Sequence, residues 1–330
     1  MNIQSLIRSM GRAVAAALAL PLCAAGAAHA QTDSYPARAL RMVVPYPAGG
    51  PVDTAARNLA KGLSEQLRQP VVVDNKPGAS GTLGASEVAK AQPDGYTVLF
   101  SLPDPFTYVQ HLFKKVAYEP LKDFAPITQV ATTPPVLVLR NDAPVPSLQA
   151  LGPGVKDVRF GTWGPGTYPH LIAAGLAVST RSDLVIVGYR GGAPAIQDFM
   201  GGHIHMTIAG IPTAVDIQKK GIGKIVAIAG AQRSPLLPDV PTFTELGLTA
   251  QVFSVPSWVG LAAPAGTPPA IVGRLRDATV AALRASDMQQ FLGSFGWNAV
   301  GNTPAEFRAA LERETPLVAE AMRQAGVQPE

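Results

Sequence analysis

Four short segments rich in glycine and proline hold the residue types that grip a small anion, and each lies between an apolar, β-branched run and a helical pattern. The first is Tyr46-Pro47-Ala48-Gly49-Gly50-Pro51-Val52-Asp53; the second is Asp74-Asn75-Lys76-Pro77-Gly78-Ala79-Ser80-Gly81-Thr82. Glycine at such a junction lets a ligand come close to the main chain, and the free amides and positive dipole end of the helix that follows favour negative charge. Tyr46, Gly49, Gly50, Ser80, Gly81 and Thr82 are the candidate contacts there. Asp53 has two readings: an N-cap for the first helix, or a carboxylate that meets a ligand hydroxyl or ammonium group. Glycine loops also serve as plain strand-to-helix turns. Two of them so close together point to a site.

The third segment, Gly161-Thr162-Trp163-Gly164-Pro165-Gly166-Thr167-Tyr168-Pro169-His170, repeats the arrangement further along the chain. The fourth is Val187-Gly188-Tyr189-Arg190-Gly191-Gly192-Ala193-Pro194-Ala195. Open α/β sheets bind ligands beyond the carboxyl ends of their strands, so loops of this kind from two lobes can face one cleft. Trp163, Gly166, Thr167, His170, Gly191 and Ala193 join the candidates, as does Ser101 after another strand. Trp163 and Tyr168 either line the cleft or fill core, as large rings usually do. Arg190 fits a ligand carboxylate through its guanidinium, or it is a solvated or lobe-bracing arginine.

Catalytic signatures are missing. Gly78-Ala79-Ser80-Gly81-Thr82 superficially resembles a phosphate loop, but there is no G-x-x-x-x-G-K-[ST], and no G-x-S-x-G elbow occurs. His111 and His170 stand alone, and His203 with His205 forms only an H-x-H pair, too few ligands for zinc. The reading is therefore no enzyme, no metal and no cofactor. The single cysteine, Cys23, lies in a leading segment with Arg8 and Arg12, an apolar stretch from Ala13 to Leu22 and an A-x-A site at Ala28-His29-Ala30. This is the pattern of a secretory signal cut after Ala30, and it places the mature protein in the periplasm. Leu22 stands where a lipoprotein signal wants a small residue. Loss of Arg8 and Arg12 brings the formal charge from +4 to +2, which gives no reason to invoke nucleic acid.

The elements that position these loops follow from periodicity. Strands are expected at 41–45, 71–74, 97–101, 125–130, 136–139, 158–161, 184–187, 206–208, 225–229 and 258–262. Helices are expected at 53–67, 83–90, 170–179, 193–200, 271–284, 286–295 and 304–324. The alternation is that of an α/β fold with largely parallel sheets. At 330 residues, 47% of them hydrophobic, the chain exceeds what one core usually organises. The expected division is a signal at 1–30, a first lobe begun by 31–131 and completed by 255–330, and a second lobe at 132–254. Crossings are expected in the proline-rich stretch 132–146 and between Pro241 and Trp258.

Longer motifs carry a family likeness. Pro45-Tyr46-Pro47-Ala48-Gly49-Gly50 with Asp53, then Gln69 to Ala79, Gln92-Pro93-Asp94-Gly95-Tyr96-Thr97, Asp123-Phe124-Ala125-Pro126-Ile127, Tyr189 to Ala195, Arg233 to Thr242 and Gly260 to Pro268 come in order. Together they resemble the Bug-type substrate-binding proteins of tripartite tricarboxylate transporters. The resemblance implies a two-lobed periplasmic binding protein fold, type II-like, with mixed sheets flanked by helices and a cleft between lobes. It also implies an organic acid ligand and two membrane subunits as partners of a monomeric receptor. In such proteins a ligand carboxylate is held by amides and waters at loops matching Tyr46–Asp53 and Gly78–Gly84, faced by loops matching Gly161–His170 and the helix start after Tyr189. Departures occur at Ser101 to Phe106, at Trp163 and Tyr168, and at His203 to Gly210. The added rings suit an aromatic acid. A receptor feeding a sensor kinase would look the same in sequence, and an exported hydrolase would need a nucleophile and base that no residue pair suggests.

Overall fold

The computed structural model describes residues 35–254, 257–324 and 327–329, so the signal segment and its cleavage site lie outside the described residues. Of the segment before Ala39 only residues 35–38 are described, without regular structure; the chain from Ala39 onward is one compact unit.

β1 (Leu40–Val44) is buried at every position but Arg41. A near-continuous apolar run suits a strand covered on both faces by helices. α1 (Pro51–Leu67) turns Val52, Ala55, Ala56, Leu59, Ala60, Leu63 and Leu67 inward, the three-and-four spacing of one apolar stripe. β2 (Val71–Asn75), α2 (Thr82–Ala89) and β3 (Thr97–Ser101) follow, and β1 pairs in parallel with both β2 and β3. A short α3 (Pro120–Asp123) leads into β4 (Phe124–Thr132).

The chain then passes to a second sheet. β5 (Val136–Arg140), β6 (Arg159–Thr162), α4 (Tyr168–Thr180), β7 (Val185–Gly188), α5 (Gly192–Met200), β8 (Met206–Ala209), α6 (Ile211–Lys219) and β9 (Gly223–Ile228) build it, with strand order β7-β6-β8-β5-β9. β10 (Trp258–Pro264) returns to the first sheet, and α7 (Pro269–Leu283), α8 (Ser286–Phe295), β11 (Asn298–Ala299) and α9 (Pro304–Gln324) close the chain. The first sheet runs β11-β4-β10-β3-β1-β2. Outgoing and returning crossings lie side by side: the Thr133 amide donates to the Ser257 carbonyl at 2.8 Å, and their hydroxyls bond at 2.7 Å.

Every strand expected from sequence forms, but the sheets are not largely parallel. Parallel pairing between strands occurs in β3-β1-β2 and β7-β6-β8, while β4, β5, β9, β10 and β11 pair antiparallel with their neighbouring strands. Only strands joined through a crossover helix must run the same way. β5 and β10 enter their sheets from the other one, and their direction is set by that crossing. α6, α3 and β11 were not anticipated: Pro212 near the start of α6 reads as a breaker, and β11 is only two residues long. The first helix begins at Pro51, where a proline's missing amide costs nothing, and not at Asp53.

One core lies against the first sheet, where Trp258 meets Phe307 edge-on at 5.1 Å beside Phe106 and Phe124. Two more cover the faces of the second sheet, Leu137 and Leu139 pointing to one and Val136 and Val138 to the other. α9 serves both sheets, placing Phe307 and Leu311 in the first core and Val318, Ala321 and Met322 in one of the others, with Pro316 between them. At Gly62 of α1 an added Cβ would lie 2.8 Å from the Ala282 Cβ of α7, so glycine there permits the close approach of the two helices.

Candidate ligand-binding cleft

The loops after β1, β2 and β3 leave the carboxyl ends of the parallel strands in one sheet, and those after β6 and β7 do the same in the other. In the first loop Gly50, not Asp53, is the N-cap of α1. Asp53 sits one turn inside, nearly buried, with its carboxylate accepting from the Gly49 amide at 2.8 Å, Arg57 Nε at 3.0 Å and Asn75 Nδ2 at 2.9 Å. Asn75 Nδ2 also donates to the Tyr46 carbonyl at 3.1 Å, so this network ties the first loop to the end of β2. Burial alone would raise the Asp53 pKa, but the bonds from Arg57, Gly49 and Asn75 outweigh it and hold the group below the usual carboxylate range.

The second loop carries strain. Gly78, Ala79, Ser80 and Gly81 all have positive φ, and for Ala79 (φ 43°) and Ser80 (φ 54°) this is a conformation that a side chain disfavours. Strain of this kind clusters where a loop is held for a task. Gly81 is the N-cap of α2, with its ideal Cβ position 3.0 Å from Pro105, and the Thr82 hydroxyl donates to the Ala79 carbonyl at 2.8 Å. The Ser80 hydroxyl reaches the Pro165 carbonyl at 3.3 Å, joining a loop of the first sheet to one of the second.

On the second sheet the Gly166 amide donates to His170 Nδ1 at 2.6 Å, which puts the imidazole proton on Nε2. Thr167 is the N-cap residue of α4, and its hydroxyl donates to the Gly164 carbonyl at 2.8 Å. Gly166 faces Leu112 so closely that any Cβ would overlap its side chain. The Gly191 amide donates to the Trp163 carbonyl at 3.2 Å and Gly191 caps α5, next to exposed Ala193. Arg190 is exposed, with no hydrogen bond or ion pair among the described residues. Tyr168 is core, packed with Leu171 and Tyr108, whereas Trp163 packs on the edge of that core and leaves its buried Nε1 without a hydrogen-bond partner among the described residues. His205, half of the H-x-H pair, accepts the Arg159 amide at its Nδ1 at 3.0 Å, so its ring is engaged in the sheet.

Beneath these loops Tyr46 and Ser101, both candidates from sequence, meet two residues that the sequence reading did not single out, Asp104 and Tyr108. The Tyr46 hydroxyl bonds Ser101 Oγ at 3.1 Å and donates to Asp104 Oδ2 at 3.2 Å. Asp104 opens a buried turn that ends at Tyr108. Burial lifts Asp104 to about 6, against the pull of its own amide and of Tyr46. The Tyr108 hydroxyl is buried with no hydrogen-bond partner among the described residues, and Tyr168, Asp104, Glu314 and Tyr46 are its electrostatic neighbours. The available signal was an acidic residue three positions after the end of β3, in a chain whose other strand-end loops favour anions. The start of α6 at Gly210, after β8, was missed with its helix.

Two mixed sheets flanked by helices, linked by paired crossings and with strand-end loops from both in contact, define a two-lobed periplasmic binding protein fold. The family model described as "Tripartite tricarboxylate transporter family receptor" matches residues 55–316, and the chain belongs to this family. Protein BugT of Bordetella pertussis is 33% identical over 332 residues, 99% of each chain. The periplasmic binding protein BugD has a TM-score of 0.81 at 33% identity, covering 90% of this chain and 100% of that one. Rpa4515 of Rhodopseudomonas palustris, solved with adipate, has a TM-score of 0.82 at 30% identity, covering 90% and 100%. MatC of the same organism, solved with bound malate, has a TM-score of 0.79 at 31% identity, covering 87% and 99%. Among the described residues no helix is long and apolar enough to cross a membrane.

Proposed function

We propose that this chain is a periplasmic receptor that captures a small organic carboxylate between its lobes and hands it to a membrane transporter. The observation that carries the reading is the contact of strand-end loops from the two sheets, seen where Ser80 meets Pro165 and Leu112 meets Gly166. Helix starts at Gly50, Gly81, Thr167 and Gly191 border the same region, and each favours an anion. Relatives of the same fold hold adipate and malate, acids of this class. The lobes are residues 31–131 with 255–330, and 132–254. Ligand contacts made only when they close shift the equilibrium toward the closed form.

The ligand contacts are the strand-end loop residues from Tyr46 to Thr82 and from Trp163 to Ala193, with Asp53 bracing the loop from behind. The receptor acts as a monomer without cofactor or catalysis, partners two membrane subunits, and matures by cleavage after Ala30. A thermal-shift screen of the chain from Gln31 onward, against mono-, di- and tricarboxylates, amino acids and neutral controls, tests this. A selective rise with acids, and acids recovered unchanged, supports it. Shifts with neutral compounds alone overturn it.

A further inference from the structure

We propose that the cleft selects acids that also bear a protonated amine, and that Asp104 is the residue that receives the amine; the inference rests on the receptor reading above. Asp104 is 5% exposed, and among the described residues no lysine, arginine or histidine forms an ion pair with it. Its side-chain partner is the Tyr46 hydroxyl, a neutral donor at 3.2 Å. A carboxylate removed from water needs a cation or several strong donors, and this one lacks the cation.

The surroundings say where that cation comes from. Asp104 follows β3 on the same strand-end side as the glycine loops, and Pro105 touches the position a Gly81 Cβ would take. The Tyr108 hydroxyl, 1% exposed and without a partner, has both Asp104 and Tyr168 of the second sheet as electrostatic neighbours, which places the cluster where the two sheets' loops meet. The helix starts, the unpartnered Trp163 Nε1 and exposed Arg190 all favour an anion. Donors on the loops and one buried carboxylate below them complement an amino-substituted acid. A plain diacid would bring its second carboxylate toward Asp104, and the two like charges would force one to take up a proton. Capping its own turn would explain Asp104's place at position 104, but not the absence of a counter-charge in a buried site.

The test is titration calorimetry at pH 7.5 with two ligand pairs that differ in the amine: malate against aspartate, and adipate against 2-aminoadipate. The wild-type chain is expected to bind the amino member about tenfold more tightly or better, the scale of one charge-assisted hydrogen bond. Asp104→Asn, which keeps the shape, is expected to erase that preference by weakening the amino acids while leaving plain acids equal or tighter. Thermal melts of the variant confirm that it folds. Plain acids binding as well as their amino counterparts in wild type, or a preference that survives Asp104→Asn, overturns the assignment while leaving the receptor reading intact. Failure of every acid to bind overturns both.

Discussion

Replacing Asp53 with alanine separates a bracing carboxylate from a ligand contact. The side chain is 4% exposed and holds three donors. Arg57 is about half exposed and Gly49 is exposed, so water re-solvates both after truncation. Each lost bond then removes about 1 kcal/mol net, and the expected loss is ~2–3 kcal/mol in all. For a chain of this size that lowers Tm by roughly 3–5 °C. The pH dependence carries a sign as well. The folded pKa is depressed, so the contribution is full above the unfolded value near 4 and is lost as pH falls through the lower folded value. Scanning calorimetry at pH 7 and at pH 3 should therefore show a wide gap between wild type and variant at pH 7 and a narrower one at pH 3. Ligand affinity, measured where both are folded, should change less than stability does. A variant that melts like wild type but no longer binds acids would refute the reasoning and return Asp53 to the ligand.

Glu314, buried against Trp258 Nε1 at 2.8 Å, has its pKa raised by burial to about 7. The unfolded state ionises first as pH rises, so wild-type stability falls between roughly pH 4.5 and 7. Glu314→Gln should be more stable than wild type at pH 8 by ~1–3 kcal/mol, with the gap closing toward pH 5 in urea melts; a constant gap would contradict the raised pKa. Gly50 has an ordinary φ of −78°, and an added Cβ would find nothing nearer than the Pro47 carbonyl at 3.6 Å. Gly50→Phe should keep Tm within a few degrees of wild type by the usual tolerance of open surface positions and abolish acid binding in the thermal-shift assay. Gly81→Val, forced into positive φ against Pro105, should lower both. A double-mutant cycle of Thr133→Val and Ser257→Ala should give a coupling of about 1 kcal/mol in denaturant unfolding, and no coupling would mean that the hydroxyl bond contributes nothing.

The strands were legible because β-branched runs such as Val71-Val72-Val73 and Val136-Leu137-Val138-Leu139 stand between glycine and proline, and no local alternative competes with them. Their directions were not, because antiparallel β10 depends on where the chain re-enters the first sheet. The strand-end loops were legible for the same reason as the strands. The partners within them were not: the choice of Asp53 for Gly49, Arg57 and Asn75 depends on β2 lying beside β1. For Tyr168 the sequence left wall and core open, with core the usual place for a large ring, and the inward turn at the start of α4 makes it core. Asp104 was passed over because burial is a property of the assembled fold. Beside two prolines, an aspartate reads as an ordinary turn residue.

The closure proposed above would be absorbed by the connections between the sheets. Two are the adjacent chain crossings, which share the Thr133–Ser257 bonds. Another is α9, which packs into both cores, and the segment after β3 joins them too, since Tyr108 and Leu112 lie in a core of the second sheet. A straight helix seated in two cores would resist their relative rotation. Pro316 stands between the two sets of contacts, and its missing amide leaves the carbonyl one turn before it without a helical donor. That is where bending costs least. Glu314, two residues earlier, is held by Trp258, the first residue of β10 after the return crossing. Near its bendable point α9 is thus tied to the start of β10 by this hydrogen bond and by the edge-on contact of Trp258 with Phe307, and burial raises the Glu314 pKa to about 7. Ionisation of Glu314 therefore bears on how α9 packs against the start of β10.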